Sequence, residues 1–328
     1  MTAQQVLLQR LADGRFHSGQ QLAADLGLSR AAVWKHVRRL QADWGVPIDA
    51  VRGRGYRLPG GFEPLDEDAI SGGLSKRASK CLDALTILTV VDSTNRVARE
   101  SAPTQTGCAR VWLAEHQTAG RGRRGRPWHS AFGGNLYFSF AWRFDLAMSE
   151  LAGLSLVSGV VLAELLRDHG LAGHTLKWPN DLLHNQRKLA GILLEVSGEA
   201  DGPATAVIGI GLNMRVPTDR GRQIDQPWTD LVRAGAGNMS RNGLVAGLVE
   251  RLTDACQLYQ ASQLPPFLAR WSMFDGLLDR PVQLLAGGTA RQGIYRGISA
   301  SGGMILENAS GRSEHRAGEV SLRSVTAT

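Results

Sequence analysis

Two prolines and two glycines fall within six residues, Pro59-Gly60-Gly61-Phe62-Glu63-Pro64, and no regular element runs through such a stretch. The chain is therefore built in at least two parts, as its 328 residues already require for ordinary core sizes. The parts differ in charge. Residues 1–60 hold nine Lys/Arg and four Asp/Glu, a net of +5, while the rest holds 28 and 26, a net of +2. A compact basic module in front of a near-neutral body is the electrostatic footprint of nucleic-acid binding. Charge alone is equally consistent with an arginine-rich solvated surface, since only five of the 37 basic residues are lysines.

Composition narrows the class. At 43% apolar and 20% charged residues the chain is of ordinary globular make-up, which excludes wholesale disorder. The longest uncharged, mainly apolar run, Leu151 to Ala163, has 13 residues, short of the roughly 20 that a bilayer span needs. The first residues carry neither a basic nor an apolar signal region. Cys81, Cys108 and Cys256 stand far apart with no C-x-x-C, and no H-E-x-x-H occurs. Neither a disulfide framework nor a protein-built metal site is expected, and a cytoplasmic location away from membranes is.

The first sixty residues follow a pattern. Gln4 to Ala12 reads as a helix with Val6, Leu7, Leu8 and Leu11 on its apolar side. Ser18-Gly19-Gln20-Gln21 predicts a capping box, opening a helix that stops at Gly27. Ser29 then caps Arg30 to about Ala42, with Val33, Val37 and Leu40 inward. Two helices across a tight glycine turn make a helix-turn-helix, and the second offers Ser29, Arg30, Trp34, Lys35 and Arg38 outward to bases and phosphates. Ile48 to Leu58 reads as a β-hairpin whose Arg52 and Arg54 reach toward the DNA backbone, which makes the module winged. A three-helix interaction module without DNA is the competing reading.

The body alternates strand-like and helix-like segments. Leu85–Val91, Val111–Glu115, Leu136–Trp142, Ile192–Val196 and Ala206–Ile210 read as strands, and Ser149 is expected to cap an apolar helix ending at His169-Gly170. Gly153, Ser155, Ser158 and Gly159 would let that helix pack closely on a sheet. The most unusual segment is Gly120-Arg121-Gly122-Arg123-Arg124-Gly125-Arg126-Pro127-Trp128. It matches G-x-G-x-x-G, and Asp145 lies 20 residues past the last glycine, but Pro127, Gly133 and Gly134 prevent the helix that a dinucleotide turn must open. Four arginines on a glycine-rich backbone suit a loop that closes over an anion such as an α-phosphate; a solvated loop or a second DNA contact is the alternative. In a chain that prefers arginine, Lys177 and Lys188 stand out. Each opens a motif, Lys177-Trp178-Pro179-Asn180-Asp181 and Lys188-Leu189-Ala190-Gly191-Ile192-Leu193-Leu194-Glu195, where a compact ammonium can meet a carboxylate or phosphate oxygen.

These motifs occur in order with Asp92-Ser93-Thr94-Asn95, Glu115-His116-Gln117-Thr118-Ala119-Gly120 and Gly211-Leu212-Asn213. The set resembles the biotin–protein ligases, and the basic module in front makes it similar to the bifunctional kind that also represses a biotin operon. The resemblance implies an α/β (α+β) fold. A winged helix-turn-helix spans 1–62, a ligase domain with a central mixed sheet of class II synthetase type spans 63–275, and a small SH3-like barrel spans 276–328. Val282–Leu285, Arg291–Ile298 and Met304–Leu306 read independently as short strands in that last part.

The implied reaction consumes ATP, with Mg²⁺, and takes biotin as substrate. Ser93, Thr94, Asn95 and Gln117 are the implied biotin contacts, with Arg121, Gly122 and Arg123 closing over biotin and the adenylate phosphate. Lys188 is expected at the carboxylate and the developing charge on phosphorus. Lys177, Asn180, Asp181 and Asn213 are expected on the nucleotide side, Arg126 at a phosphate and Trp228 against adenine. The implied partners are the biotin carboxyl-carrier domain of a carboxylase, operator DNA, and a second copy of the chain when the adenylate is bound. Two rival readings are a ligand-sensing repressor with an inactive body and a lipoate or octanoate ligase of the same fold.

Overall fold

The computed structural model describes residues 2–199, 201–286, 289–316 and 320–324. The N-terminal module comprises α1 (Ala3–Leu11), α2 (Gly19–Leu26), α3 (Arg30–Trp44) and the hairpin β1 (Asp49–Val51) to β2 (Gly55–Arg57). Ser18 accepts from the Gln21 amide at 3.0 Å and Ser29 from the Ala32 amide at 3.2 Å, so both predicted caps form. The reciprocal half of the Ser18 box does not. Gln21 Nε2 donates instead to the Asp25 carboxylate at 2.8 Å, a charged acceptor one turn along the same helix. Gly27 and Gly45 end their helices in the left-handed conformation, at φ of 62° and 61°. Leu7, Leu11, Leu22, Val33, Val37, Leu40, Ile48 and Leu58 close one small core. The hairpin is pinned to it by two backbone bonds between His17 and Tyr56, and a Cβ at Gly55 would run into the His17 carbonyl.

Pro59–Pro64 is expected to act as a linker, yet its last residues are stapled to the body. Glu63 Oε1 accepts from Ser240 Oγ and from Asn242 Nδ2, both at 2.8 Å. Behind it lies a buried ion pair, Arg241 Nη2 to Glu115 Oε2 at 2.8 Å, and Glu115 Oε1 accepts from the Leu65 amide. Phe132 of the body sits within the module's own core, with its ring 6.2 Å from Trp44 and 5.6 Å from Phe62. The seam is held by aromatic contact and by buried charge.

Two short helices, α4 (Glu67–Gly72) and α5 (Lys76–Cys81), lead into the main sheet. Its strands are β3 (Leu82–Val91), β4 (Ala109–Gln117), β5 (Asn135–Arg143), β6 (His174–Lys177), β7 (Asp181–His184), β8 (Arg187–Gly198) and β9 (Ala204–Asn213). They are ordered β3-β4-β5-β9-β8-β7-β6, with only β3 and β4 parallel. α6 (Thr94–Glu100) covers one face, where Ala98 packs on Trp112, Ala141 and Val207. The other face carries α7 (Leu154–Asp168), and the one-turn α8 (Thr218–Gly221) precedes the long α9 (Arg241–Ser262) and α10 (Pro265–Ser272). The even-numbered Phe138, Phe140, Trp142, Ile208, Ile210 and Leu212 point into that larger core. Their odd-numbered neighbours face the other way, where Ala141 and Val207 pack under α6 and Tyr137, Gly209 and Gly211 line the functional site.

Ser149 does not cap α7. A 3₁₀ stretch, Met148–Gly153, comes first, and the Glu150 carboxylate accepts from the Ala147 amide at 2.8 Å, so a longer acidic side chain closes the turn. Gly159 of α7 lies against Leu176 and Ile192 of the sheet, as close packing demands, while Gly153 faces Tyr259 of α9. Met148–Asp168 is the one segment among the described residues long and apolar enough to cross a bilayer, and 72% of its window is buried in this body. It is a core helix.

The C-terminal strands β10 (Pro281–Ala286), β11 (Thr289–Ile298), β12 (Met304–Asn308), β13 (Gly311–His315) and β14 (Val320–Ser324) form an antiparallel sheet ordered β13-β12-β11-β10-β14. Val282, Leu284, Tyr295, Met304 and Leu306 share the body's core rather than forming their own. Trp178 Nε1 donates to the Gly302 carbonyl at 3.1 Å, tying this sheet to the Lys-Trp-Pro-Asn-Asp motif.

Candidate functional site

β4 ends at Gln117, and the chain then doubles back on itself rather than entering a helix. The Gly122 amide donates to the Arg126 carbonyl and the Trp128 amide to the Gly120 carbonyl, each at 2.8 Å. The tip, Arg123–Gly125, is a single 3₁₀ turn reached with Arg124 and Gly125 at φ of 58° and 69°. The glycine-arginine segment is thus a two-legged finger, and the excluded dinucleotide reading stays excluded. It overhangs a cavity of about 690 Å³.

The cavity gathers most of the expected residues. Ser93, Thr94, Asn95, Gln117, Arg121, Gly122, Arg123, Arg126, Lys177, Asn180, Asp181 and Lys188 all line it, although they span nearly a hundred positions in sequence. Ser93, Thr94 and Asn95 are buried where β3 passes into α6. Asn180 ends the turn between β6 and β7 and Asp181 opens β7; Asn180 exchanges bonds with Ile192 of β8 and its Oδ1 accepts from Arg123 Nη1 at 3.3 Å. Lys188 Nζ stands 2.8 Å from Asp181 Oδ1 and 5.6 Å from the centre of the Trp128 ring. Burial, and after it the charge of Arg124, hold the Arg123 guanidinium below its ordinary pKa, with Asp181 opposing them. An anion entering beneath the finger would stabilise the cation against both effects.

Two expected residues are placed elsewhere. Asn213 is buried with its amide engaged: Oδ1 accepts from Asn135 at 2.8 Å and Nδ2 donates to the Thr229 carbonyl at 2.9 Å. It braces β9 against β5 and does not line the cavity. The Trp228 indole donates to the Gly221 carbonyl at 2.9 Å, and Arg233 stacks 4.5 Å from its ring. Its neighbours Asp225, Gln226 and Pro227 line the cavity, while the Trp228 ring packs on Gly221 outside it.

The floor is what the sequence reading missed. Gly209 and Gly211 of β9 and Gly191 of β8 share the odd-numbered face, with Gly191 paired to Gly211 and Leu193 to Gly209. A Cβ at Gly211 would come within 2.7 Å of the Trp128 ring, and one at Gly191 within 3.1 Å of both that ring and Lys188 Cε. Bare backbone lets the Trp128 ring, the Lys188 side chain and the Asn95 carboxamide lie close against the sheet, where added side chains would push them off. The available signal was glycine at two alternate positions of one strand, Gly209-Ile210-Gly211.

On the N-terminal module, Ser29, Arg30, Trp34, Lys35 and Arg38 are all exposed along α3, as is Arg39, which the sequence reading left out. Trp34 is 50% exposed, with Arg38 stacked 5.6 Å from its ring. Arg52 is exposed on the hairpin, while Arg54 lies over Phe16 at 4.1 Å. A half-exposed tryptophan with an arginine over its ring suits contact with an anionic partner.

The comparisons with known proteins agree with this geometry. Residues 87–213 match the biotin/lipoate A/B protein ligase family, and residues 3–57 match an HTH domain. The chain is 44% identical to the bifunctional ligase/repressor BirA of Salmonella typhimurium, over 97% of both chains. It is 42% identical to that of Escherichia coli, over 97% of this chain and 96% of the other. Among solved structures, the biotin protein ligase from Aquifex aeolicus in complex with biotin and ATP superposes with a TM-score of 0.63 at 29% identity, covering 74% of this chain and all of that one. The chain belongs to the family of bifunctional biotin–protein ligases and repressors.

Proposed function

We propose that this chain adenylates biotin with ATP, transfers the biotinyl group to a lysine of a carboxylase carrier domain, and represses transcription through its N-terminal module. The observation that carries the ligase reading is the convergence of Lys188, Arg123, Asp181 and the Ser93–Asn95 segment on one cavity with a bare glycine floor. A carboxylate oxygen of biotin attacks the α-phosphorus of ATP, and pyrophosphate leaves. The carrier amine then attacks the activated carbonyl, AMP leaves, and the amine gives up its proton.

Lys188 and Arg123 serve the first step by meeting charge that accumulates on the carboxylate and at phosphorus, in a site that already holds them in place. Arg121 and Arg126 take the remaining phosphate oxygens. Mg²⁺ would arrive with the nucleotide, because among the described residues no cluster of metal-ligating side chains exists. Asp181 and Asp225 are the carboxylates that line the cavity, which suits an ion that binds one or two carboxylates plus substrate phosphates.

The polar end at Thr94 and Gln117 argues against lipoate or octanoate. A site built to hydrogen-bond a ring urea leaves those groups unpaired when an aliphatic chain enters, and this discriminates strongly. Lys188 and the complete arginine finger, both facing the cavity, argue against an inactive body. The test is incubation with ATP and labelled biotin, lipoate or octanoate. Biotinyl-adenylate alone is expected, and an octanoyl or lipoyl adenylate formed at equal rate would replace this reading.

The repressor works in the cytoplasm as a dimer formed when the adenylate is bound, each α3 reading half of a palindromic operator. Ordering of the finger by the adenylate anion lowers the entropy cost of pairing. Arg30→Ala and Arg38→Ala should each weaken operator binding, and loss of one phosphate contact should reduce the salt slope by about one unit. Operator titrations across salt, with and without a non-hydrolysable adenylate analogue, check both points. Identical curves for mutants and parent, or no effect of the analogue, count against them.

A further inference from the structure

Lys188 faces the cavity from an even-numbered position of β8, although Gly191 and Leu193 place the odd-numbered residues of that strand on the site face. The ladder with β7 shows how. Asp181 pairs with Gly191 and Leu182 with Ala190, and the next pair is Leu183 with Lys188. β8 thus spends three residues, Lys188 to Ala190, where β7 spends two, and the extra one is a β-bulge at Leu189. Leu189 and Ala190 are both fully buried in the main core, whereas Leu183 and Lys188 line the cavity. A regular ladder would set Leu189 opposite Leu183 and turn Lys188 toward the core.

The bulge sits at a fork. β8 and β9 pair from Gly198 and Ala204 as far as Ala190 and Leu212, and there they part. Beyond that point residues 227–229 take the place of β9 beside β8. The Lys188 amide donates to the Pro227 carbonyl and the Thr229 amide to the Lys188 carbonyl, both at 2.9 Å. Asn213, the next residue of β9, fills the fork. Its Nδ2 donates to the Thr229 carbonyl at 2.9 Å and stands 3.5 Å from the Lys188 carbonyl. Carbonyls only accept, so the Asn213 NH₂ must face these two and its Oδ1 must face Asn135 Nδ2, 2.8 Å away. The buried carboxamide therefore acts on the lysine's own peptide and on the segment that holds it.

We propose that Leu189 and Asn213 are positioning residues for Lys188: the bulged leucine gives the lysine its face, and the asparagine holds the fork that keeps the bulge. The inference rests on the ligase reading above, in which Lys188 meets the substrate carboxylate and the α-phosphorus. It gives Asn213 a different task from the one its motif implies, since its amide works through the lysine's backbone and not on the nucleotide.

The test is single-turnover adenylate formation by the full-length protein, with biotin and ATP each titrated, in Asn213→Ala, Lys188→Ala and the double variant. Asn213→Ala should lower the maximal rate about 10- to 30-fold, the scale of one lost buried hydrogen bond, with both KM values within about twofold. In the Lys188→Ala background the same change should cost less than about twofold, because the group through which Asn213 acts is gone. A direct nucleotide contact would raise KM for ATP, and a merely structural role would cost the same in both backgrounds. Either result overturns the role of Asn213. A second variant, Lys188→Ala with Leu189→Lys, moves the lysine one place along the strand. With the bulge kept, that lysine points into the core, so the rate should stay at or below that of Lys188→Ala and the melting temperature should fall. A rate restored more than about tenfold above Lys188→Ala means a regular ladder and overturns the bulge. Absence of biotinyl-adenylate from the parent protein would instead overturn the ligase reading.

Discussion

Lys188→Ala should lower the single-turnover rate of adenylate formation roughly 100- to 1,000-fold, about 3–4 kcal/mol, the usual loss when one preorganised charge contact at a reacting phosphate is removed. Lys188 Nζ is held between the Asp181 carboxylate and the Trp128 face, so in the proposed reaction it would meet the substrate carboxylate and phosphorus from a fixed position. Its removal leaves Asp181 as an unbalanced anion in a cavity that must receive two more, which adds to the loss. Folding should survive, since the strand's backbone bonds to Pro227 and Thr229 do not depend on the side chain. Quench-flow with labelled biotin, checked by thermal unfolding, decides the matter. A near-parental rate in a folded variant removes Lys188 from the chemistry.

Arg123→Gly should separate making the intermediate from keeping it. Arg123 carries the bond from the finger to Asn180 across the mouth of the cavity, and in the proposed reaction its cation would meet the α-phosphate. Without it, the finger loses both its latch and its attraction for the anion. Adenylate synthesis should continue at reduced rate, while release of the free adenylate should speed up by roughly one to two decades, as expected when a charge-assisted contact worth about 1.5–3 kcal/mol is lost. Escaped biotinyl-adenylate would then acylate lysines of bystander protein added to the reaction. If bystanders stay unlabelled while the carrier is biotinylated normally, the finger does not retain the intermediate.

Much of this was legible before any coordinates. Serine and glycine punctuation at Ser18, Gly27 and Ser29 marks out α2 and the start of α3, because caps are local chemistry and need no tertiary information. The strands carrying Leu136–Trp142 and Ala206–Ile210 were readable because one face of each is continuously apolar. α9 was not. Its 22 residues spread leucine, valine, alanine and charge around the helix without a stripe, since it packs on α4, α5, α7 and β5 together. β6 and β7, four residues each, are too short for alternation to show. The site was legible as a set of motifs, but motif matching cannot tell which member points inward. Asn213 shares a motif with the cavity's Gly211, and Trp228 follows the cavity's Pro227, while the side chains of both are spent on structure. Ser139 carries no special spacing, and only the register of β5 beside β9 brings it to Asn95.

The glycine floor sets a limit on how this protein can be made sturdier. Gly191, Gly209 and Gly211 occupy interior positions of the two longest central strands, where almost any other residue would gain strand propensity on a scale of about 1 kcal/mol. Each added Cβ, however, would meet Trp128, Lys188 or Asn95. Robustness and the seating of these three site side chains therefore compete for the same few cubic ångströms. Selection for heat resistance would have to work through the opposite face, at Ile192, Ile208, Ile210 and Leu212, leaving three weak points in the sheet that no functional variant can repair.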